Sequence, residues 1–178
     1  MDGTYSYEEA LRLVRVLDDL DAFGPQVIGT QPLGIAMPGS DIDVVCHAPD
    51  AAAFADALWM HYGEMRGFAL YQWTTGQRAV VAKFSAYGWP FGLFGSTELV
   101  RDQAGWRHFV VERRLLALGG EPLRSAVMAA RRRGAKTEPA FAEVLNLAGD
   151  AYAAVLDLYD CPDAELIDIL QRGRRVPS

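Results

Sequence analysis

Two aspartates, Asp41 and Asp43, stand two residues apart at the start of the β-branched run 42–46, directly behind the turn-forming Pro38-Gly39-Ser40. In an extended strand residues i and i+2 point to the same face, so this spacing projects both carboxylates together. Like charges held that close repel unless a cation lies between them, and carboxylate oxygens select hard divalent ions such as magnesium or manganese. Upstream, Gly29-Thr30 offers what a phosphate needs: a residue without a Cβ, past which backbone N–H groups can approach, and a hydroxyl donor. Ser40, the residue before Asp41, joins this group. The chemistry would be positioning and charge neutralisation of a triphosphate, with an acceptor hydroxyl attacking in line. The same spacing recurs in Asp19-Leu20-Asp21, at a helix end where residues two apart diverge, so Asp-x-Asp by itself selects nothing. Residue chemistry alone leaves two readings open: a metal-bridged pair, or a surface turn whose aspartates are solvated.

The elements that would position these residues follow from periodicity. Residues 6–20 read as an amphipathic helix capped by Ser6, with Leu11, Val14, Leu17 and Leu20 at helical spacing. Phe23-Gly24-Pro25 stops it, and a short apolar piece, 26–28, leads into Gly29-Thr30. Residues 32–40 hold two prolines and two glycines, which predicts a loop or a broken helical turn before the central strand 42–46. A helix over 51–62 offers Phe54, Ala57, Leu58 and Met60 to a sheet, and strands are predicted at 68–73, 79–84 and 90–94, the last behind a Tyr87-Gly88 turn. From residue 101 the pattern becomes helical, with segments at 101–118, 122–133, 139–147, 150–159 and 162–172. The expected architecture is an α/β (α+β) single domain over 1–178: a small mixed sheet with flanking helices in 1–100, then a helical half in 101–178, with Gly119-Gly120-Glu121-Pro122 as a hinge.

Composition narrows the function classes. The chain has 178 residues, 51% hydrophobic and 22% charged, with 17 basic against 23 acidic side chains and a formal charge of -6. That balance argues against broad nucleic-acid binding, which needs a basic face, while leaving room for a local phosphate site. Cys46 and Cys161 follow no metal or redox spacing and read as thiols of a reducing cytosol. No apolar stretch approaches a membrane span, and the first residues lack a signal-peptide pattern, so the expected location is cytoplasmic and off the membrane. Three histidines without paired spacing argue against zinc, and the four tryptophans read as core or interface residues.

The string Gly29-Thr30, ten residues, then Asp41-Ile42-Asp43-Val44 resembles the signature of the polymerase-beta-like nucleotidyltransferase superfamily. The longer stretches 29–35 and 39–43, together with Gly134-Ala135-Lys136-Thr137-Glu138-Pro139-Ala140-Phe141-Ala142, resemble a bacterial family of unknown function within it. Gln103, His108 and Glu112 sit where such proteins carry a Gln-x4-His-x3-Glu helix. The resemblance implies a nucleotidyltransferase-like fold with both aspartates on one strand. It further implies magnesium or manganese held by Asp41 and Asp43, a nucleoside triphosphate as partner, and catalysis centred on those aspartates, with the acceptor undefined. It also places a third carboxylate, metal ligand and general base, on a later strand, where this sequence has Gly92; Glu98, a few residues on, is the nearby substitute. Enzymatic transfer is therefore left open beside an alternative, a catalytically degenerate member acting as a ligand-sensing or protein-interaction module, with a homodimer or two-protein assembly built on the helical half.

Two further candidates carry structural alternatives. His108 fits either a nucleotide contact or a core-facing histidine with Glu112 as its i, i+4 neighbour. Lys136 is free to meet an anionic ligand, whereas Thr137 or Glu138 can cap the following helix and Pro139 suits its first turn. Arg131-Arg132-Arg133 reads as a favourable charge set at a helix C-terminus.

Overall fold

A computed structural model describes residues 5–76 and 78–173. By their contacts these residues divide into two compact units: residues up to Pro32 with Pro38–Trp106, and Leu33–Met37 with the residues from Arg107 on.

The first unit is built on five strands: β1 Gln26–Ile28, β2 Ile42–His47, β3 Arg66–Gln72, β4 Val80–Ala86 and β5 Trp89–Ser96. Their order is β1-β2-β5-β4-β3, with β2 and β5 parallel and the other pairs antiparallel. The predicted Tyr87-Gly88 turn joins β4 to β5, and both residues have positive φ (52° and 85°), the twist a two-residue hairpin requires. One face of the sheet carries Ile42, Val44, Cys46, Val80, Ala82, Phe84, Phe91 and Leu93 into a single apolar cluster. Helices α1 (Tyr7–Val14), α2 (Val16–Asp19) and α4 (Ala51–Tyr62) cover that face. Rings of Tyr62, Phe84 and Phe91 stack at 5.0 Å centroid spacings, so the cluster is a continuous close-packed layer.

Local chemistry explains most boundaries. Ser6 and Glu9 form a reciprocal capping box at the start of α1. The single helix expected over 6–20 is instead broken at Arg15, whose φ of 62° ends α1 and whose N–H caps the Leu11 carbonyl. Asp50 accepts from the Ala52 and Ala53 N–H groups and fixes α4, which buries Phe54, Leu58 and Tyr62 at spacings of four. Met60, expected to face the sheet, is 74% exposed, because its position lies on the opposite side of that stripe. The 32–40 segment opens with α3, a single turn over Thr30–Leu33.

The second unit is helical. Helix α5 (Ala104–Arg132) continues into it from the first unit and breaks at Gly120, whose φ of 61° and ψ of −156° lie outside helical space, with Pro122 restarting the turn. Gly119-Gly120-Glu121-Pro122, expected as a hinge between the halves, is a kink within the second unit, whereas the division between the units falls at Trp106–Arg107. Helices α6 (Thr137–Leu145), α7 (Ala151–Leu156) and α8 (Asp163–Gly173) follow. Arg114 latches the start of α8 by donating to the Tyr159 and Cys161 carbonyls and to the Asp163 carboxylate. Arg124 donates to the Leu33 and Gly34 carbonyls and Arg131 to the Ile35 carbonyl, which ties the 33–37 segment to this unit. Among the described residues no helix is long and apolar enough to cross a membrane.

Candidate functional site

Strand β2 positions the aspartates. Because Ile42, Val44 and Cys46 are driven into the core, alternation sends Asp41, Asp43, Val45 and His47 to the opposite face of the sheet. Asp41 is exposed just before the strand; Asp43 is half-buried inside it, between β1 and β5.

Two glycines shape the space around the Asp43 carboxylate. Gly29 follows β1 with a φ of 83°, and a Cβ placed there would lie 3.1 Å from Asp43 Oδ2. Gly92 pairs with Asp43 in the parallel register, and a Cβ there would lie 2.7 Å from Oδ1. The carboxylate therefore occupies room that exists only because neither neighbour has a side chain. Burial, with the Asp41 charge second and opposed by Lys83, pushes Asp43 up to about 7.

Thr30 opens the α3 turn, and Gln31 Nε2 donates to the Ser40 carbonyl at 3.5 Å, so the two ends of the loop come together. The structure thus gathers Gly29, Thr30, Ser40, Asp41 and Asp43 in the first unit, with Gly29 against Asp43. Glu98 does not join them. It lies beyond Ser96 on a chain running parallel to β2, at the His47 end, where its carbonyl accepts from Gln103 Nε2 and meets His47 Nδ1 at 3.0 Å. Four strand steps from Gly92 to Ser96, roughly 13 Å, and then a bend separate it from Gly92. It cannot stand in for an acid at Gly92.

His108 and Lys136 belong to the second unit. His108 Nε2 donates to the Tyr152 carbonyl at 2.9 Å, and Nδ1 lies 3.9 Å from Glu138. Glu112, its i, i+4 neighbour, is buried with Oε1 unpartnered, and burial first, then the Glu138 charge, holds its carboxyl well above the usual range. Gln103 is buried in the first unit, where it also donates to the Cys46 carbonyl at 2.8 Å. The Gln-x4-His-x3-Glu spacing therefore combines a strand-end clamp in the first unit with a partly buried polar cluster in the second. Lys136 occupies the N-cap position of α6, exposed and making no capping bond. Neither Thr137 nor Glu138 caps that helix, since both lie inside its first turn.

A divalent ion suits this donor set in one respect. Two carboxylates share one strand face, one of them half-buried and raised by burial and then by the other, and magnesium is commonly held by one or two carboxylates plus phosphate oxygens. The set stops there: among the described residues no group of three or more His, Cys, Asp and Glu could hold a metal ion. Sequence reasoning passed over Lys83, which the antiparallel register sets opposite Gly92 on the same face as Asp43. Its signal was a lone charge in the apolar run 79–84, legible only once the strand register is known.

Residues 9–158 match the family described as a domain of unknown function, DUF4269, and the chain belongs to that family. No curated protein matches it in sequence. Among solved structures, the chain is similar to one from the GLD-2/RNP-8 complex, with 10% identity, a TM-score of 0.55, and coverage of 90% of this chain and 73% of that one. It is also similar to the Cid1 poly(U) polymerase with MgGTP bound, with 13% identity, a TM-score of 0.54, and coverage of 82% and 46%. Cid1 with the UTP analog UMPNPP gives 14% identity, a TM-score of 0.51, and coverage of 91% and 63%. The chain spans less than two thirds of the length of these Cid1 structures. At these identities the likeness is one of fold: a mixed α/β sheet of the nucleotidyltransferase type.

Proposed function

We propose that this chain binds a nucleoside triphosphate together with a divalent metal ion, magnesium or manganese, at Asp41 and Asp43. Gly29, Thr30 and Ser40 line the phosphates. The observation that carries the reading is the Asp43 carboxylate: seated between Gly29 and Gly92, facing the same side as Asp41, and pushed up by burial and that neighbour. A half-buried carboxylate with a second one on the same strand face is a destabilised arrangement that a metal would relieve. The fold supports it, since Cid1, of similar fold, has been seen with MgGTP and with UMPNPP.

In the fullest form of this proposal the chain transfers a nucleotidyl group to a hydroxyl acceptor. When bound, the metal supplies phosphate charge neutralisation and Lewis-acid polarisation. Asp41 and Asp43 would hold it, which requires Asp43 to give up its carboxyl proton. Gly29 lets the backbone approach the phosphate chain, and the Thr30 and Ser40 hydroxyls donate to its oxygens. Lys136 and His108, expected as nucleotide contacts, belong to the second unit and are not assigned to this site.

One observation favours a second reading. With Gly92 beside Asp43, no side chain at that position can serve as general base, so the chain would bind nucleotide without transferring it and act as a ligand-sensing or partner-binding module. A thermal-shift screen against ATP, GTP, CTP and UTP, each with and without magnesium or manganese, tests the shared core of both readings. A metal-dependent rise in Tm that Asp41→Asn abolishes is the expected result; no rise with any nucleotide refutes the site. Product formation from the stabilising nucleotide then separates transfer from binding alone.

A further inference from the structure

Asp43, Gly92 and Lys83 lie in one row across β2, β5 and β4, paired directly in both registers and therefore on one face of the sheet. Two strand spacings, about 10 Å, separate the backbones of Asp43 and Lys83, with Gly92 between them and the edge of the Phe94 ring over it. Lys83 is exposed, with its side chain on the same face of the sheet as Asp43. At Gly92 itself a Cβ would meet Asp43 Oδ1 at 2.7 Å and the Phe94 ring at 3.0 Å, so an acid there would have to displace one or both. The row thus presents a carboxylate and, across a residue without a side chain, a cation, where a second divalent ion would need a further carboxylate.

We infer that Lys83 supplies the second positive charge of this site, so that the chain takes up one divalent ion per nucleotide and its ammonium contacts the triphosphate across Gly92. The inference rests on the nucleotide-binding reading above. The physical grounds are charge and reach. An ammonium on a flexible four-carbon stem is a mobile point charge that meets phosphate oxygens readily. A second divalent ion beside it would face a like charge and too few anionic donors. Lys83 would be a binding residue, positioning the phosphate chain while Asp41 and Asp43 hold the one metal.

The test counts metal ions. Mn2+ is titrated into the full chain with ATP, GTP, CTP or UTP present in turn, and bound Mn2+ is read by electron paramagnetic resonance, in parallel with nucleotide affinity by calorimetry. One Mn2+ per chain is expected, without the line broadening of a coupled pair. Lys83→Gln is expected to weaken nucleotide binding roughly tenfold or more, the size of a lost charge-assisted contact. Lys83→Arg is expected to retain most of it, and the ligand-free Tm of both variants controls for folding. Two coupled Mn2+ ions in the wild type, or a Lys83→Gln variant that binds as the wild type does, overturns the role of Lys83 and leaves the nucleotide site standing. Failure of the wild type to bind any of the four with Mn2+ overturns both.

Discussion

Replacing Asp43 by Asn removes a charge while keeping the side chain's volume, and the structure fixes the sign of the effect. The folded carboxyl is raised from 3.8 to about 7, chiefly by burial and next by Asp41. Below the unfolded value both states are protonated and the group contributes nothing to stability. As pH rises the folded state holds its proton more tightly, so stability falls until pH passes the folded value and then levels off. The shift corresponds to about 4 kcal/mol of destabilisation at pH 8 for the metal-free protein. Asp43→Asn is therefore expected to be more stable than the wild type at pH 8, by up to about 4 kcal/mol or on the order of 10 °C in Tm. That advantage should shrink by about 1.4 kcal/mol per pH unit on going down from 7 and vanish near 4. Urea unfolding of both proteins between pH 4 and 8, in chelator, measures it. Magnesium with nucleotide should reverse the ranking at pH 8 by stabilising only the wild type. If the two proteins differ by a constant amount across this range, or if Asn is the less stable at pH 8, the buried, cation-deficient picture of Asp43 is wrong.

Two other outcomes follow from the same geometry. Gly29→Ala must place a Cβ 3.1 Å from Asp43 Oδ2 at a φ of 83°, and should lose about 1–2 kcal/mol in chemical unfolding together with metal-dependent nucleotide binding. Glu112→Gln should gain stability over the wild type at pH 8 and lose that gain toward pH 4, because burial raises the folded carboxyl; a gain that persists unchanged at pH 4 would show that the effect is not electrostatic.

The sequence was informative wherever a local rule had no competitor. Ser6 marks the start of the first helix through a hydrogen bond made within four residues, and that cap forms. Tyr87-Gly88 between two apolar runs marked the hairpin, and Gly119-Gly120-Glu121-Pro122 the break in α5. The Arg15 break was not legible, since nothing in its residue type signals a left-handed backbone. Nor was the exposure of Met60, because choosing the buried stripe of α4 depends on how the helix is rotated against the sheet.

For the site, spacing alone put Asp41 and Asp43 on one face and set Gly29-Thr30 upstream of them, because period-two alternation is a property of any strand. Only tertiary structure decided what surrounds them. That Gly29 and Gly92 flank the Asp43 carboxylate, that Glu98 lies at the wrong end of the strand, and that Lys83 stands across Gly92 from Asp43 all depend on strand order and register. Register is set by which side chains the whole core buries and by the hairpin that joins β4 to β5, over separations of tens of residues. A sequence read window by window carries the alternation of each strand but not the pairing between strands, and in this protein the pairing is what gives the aspartates their neighbours.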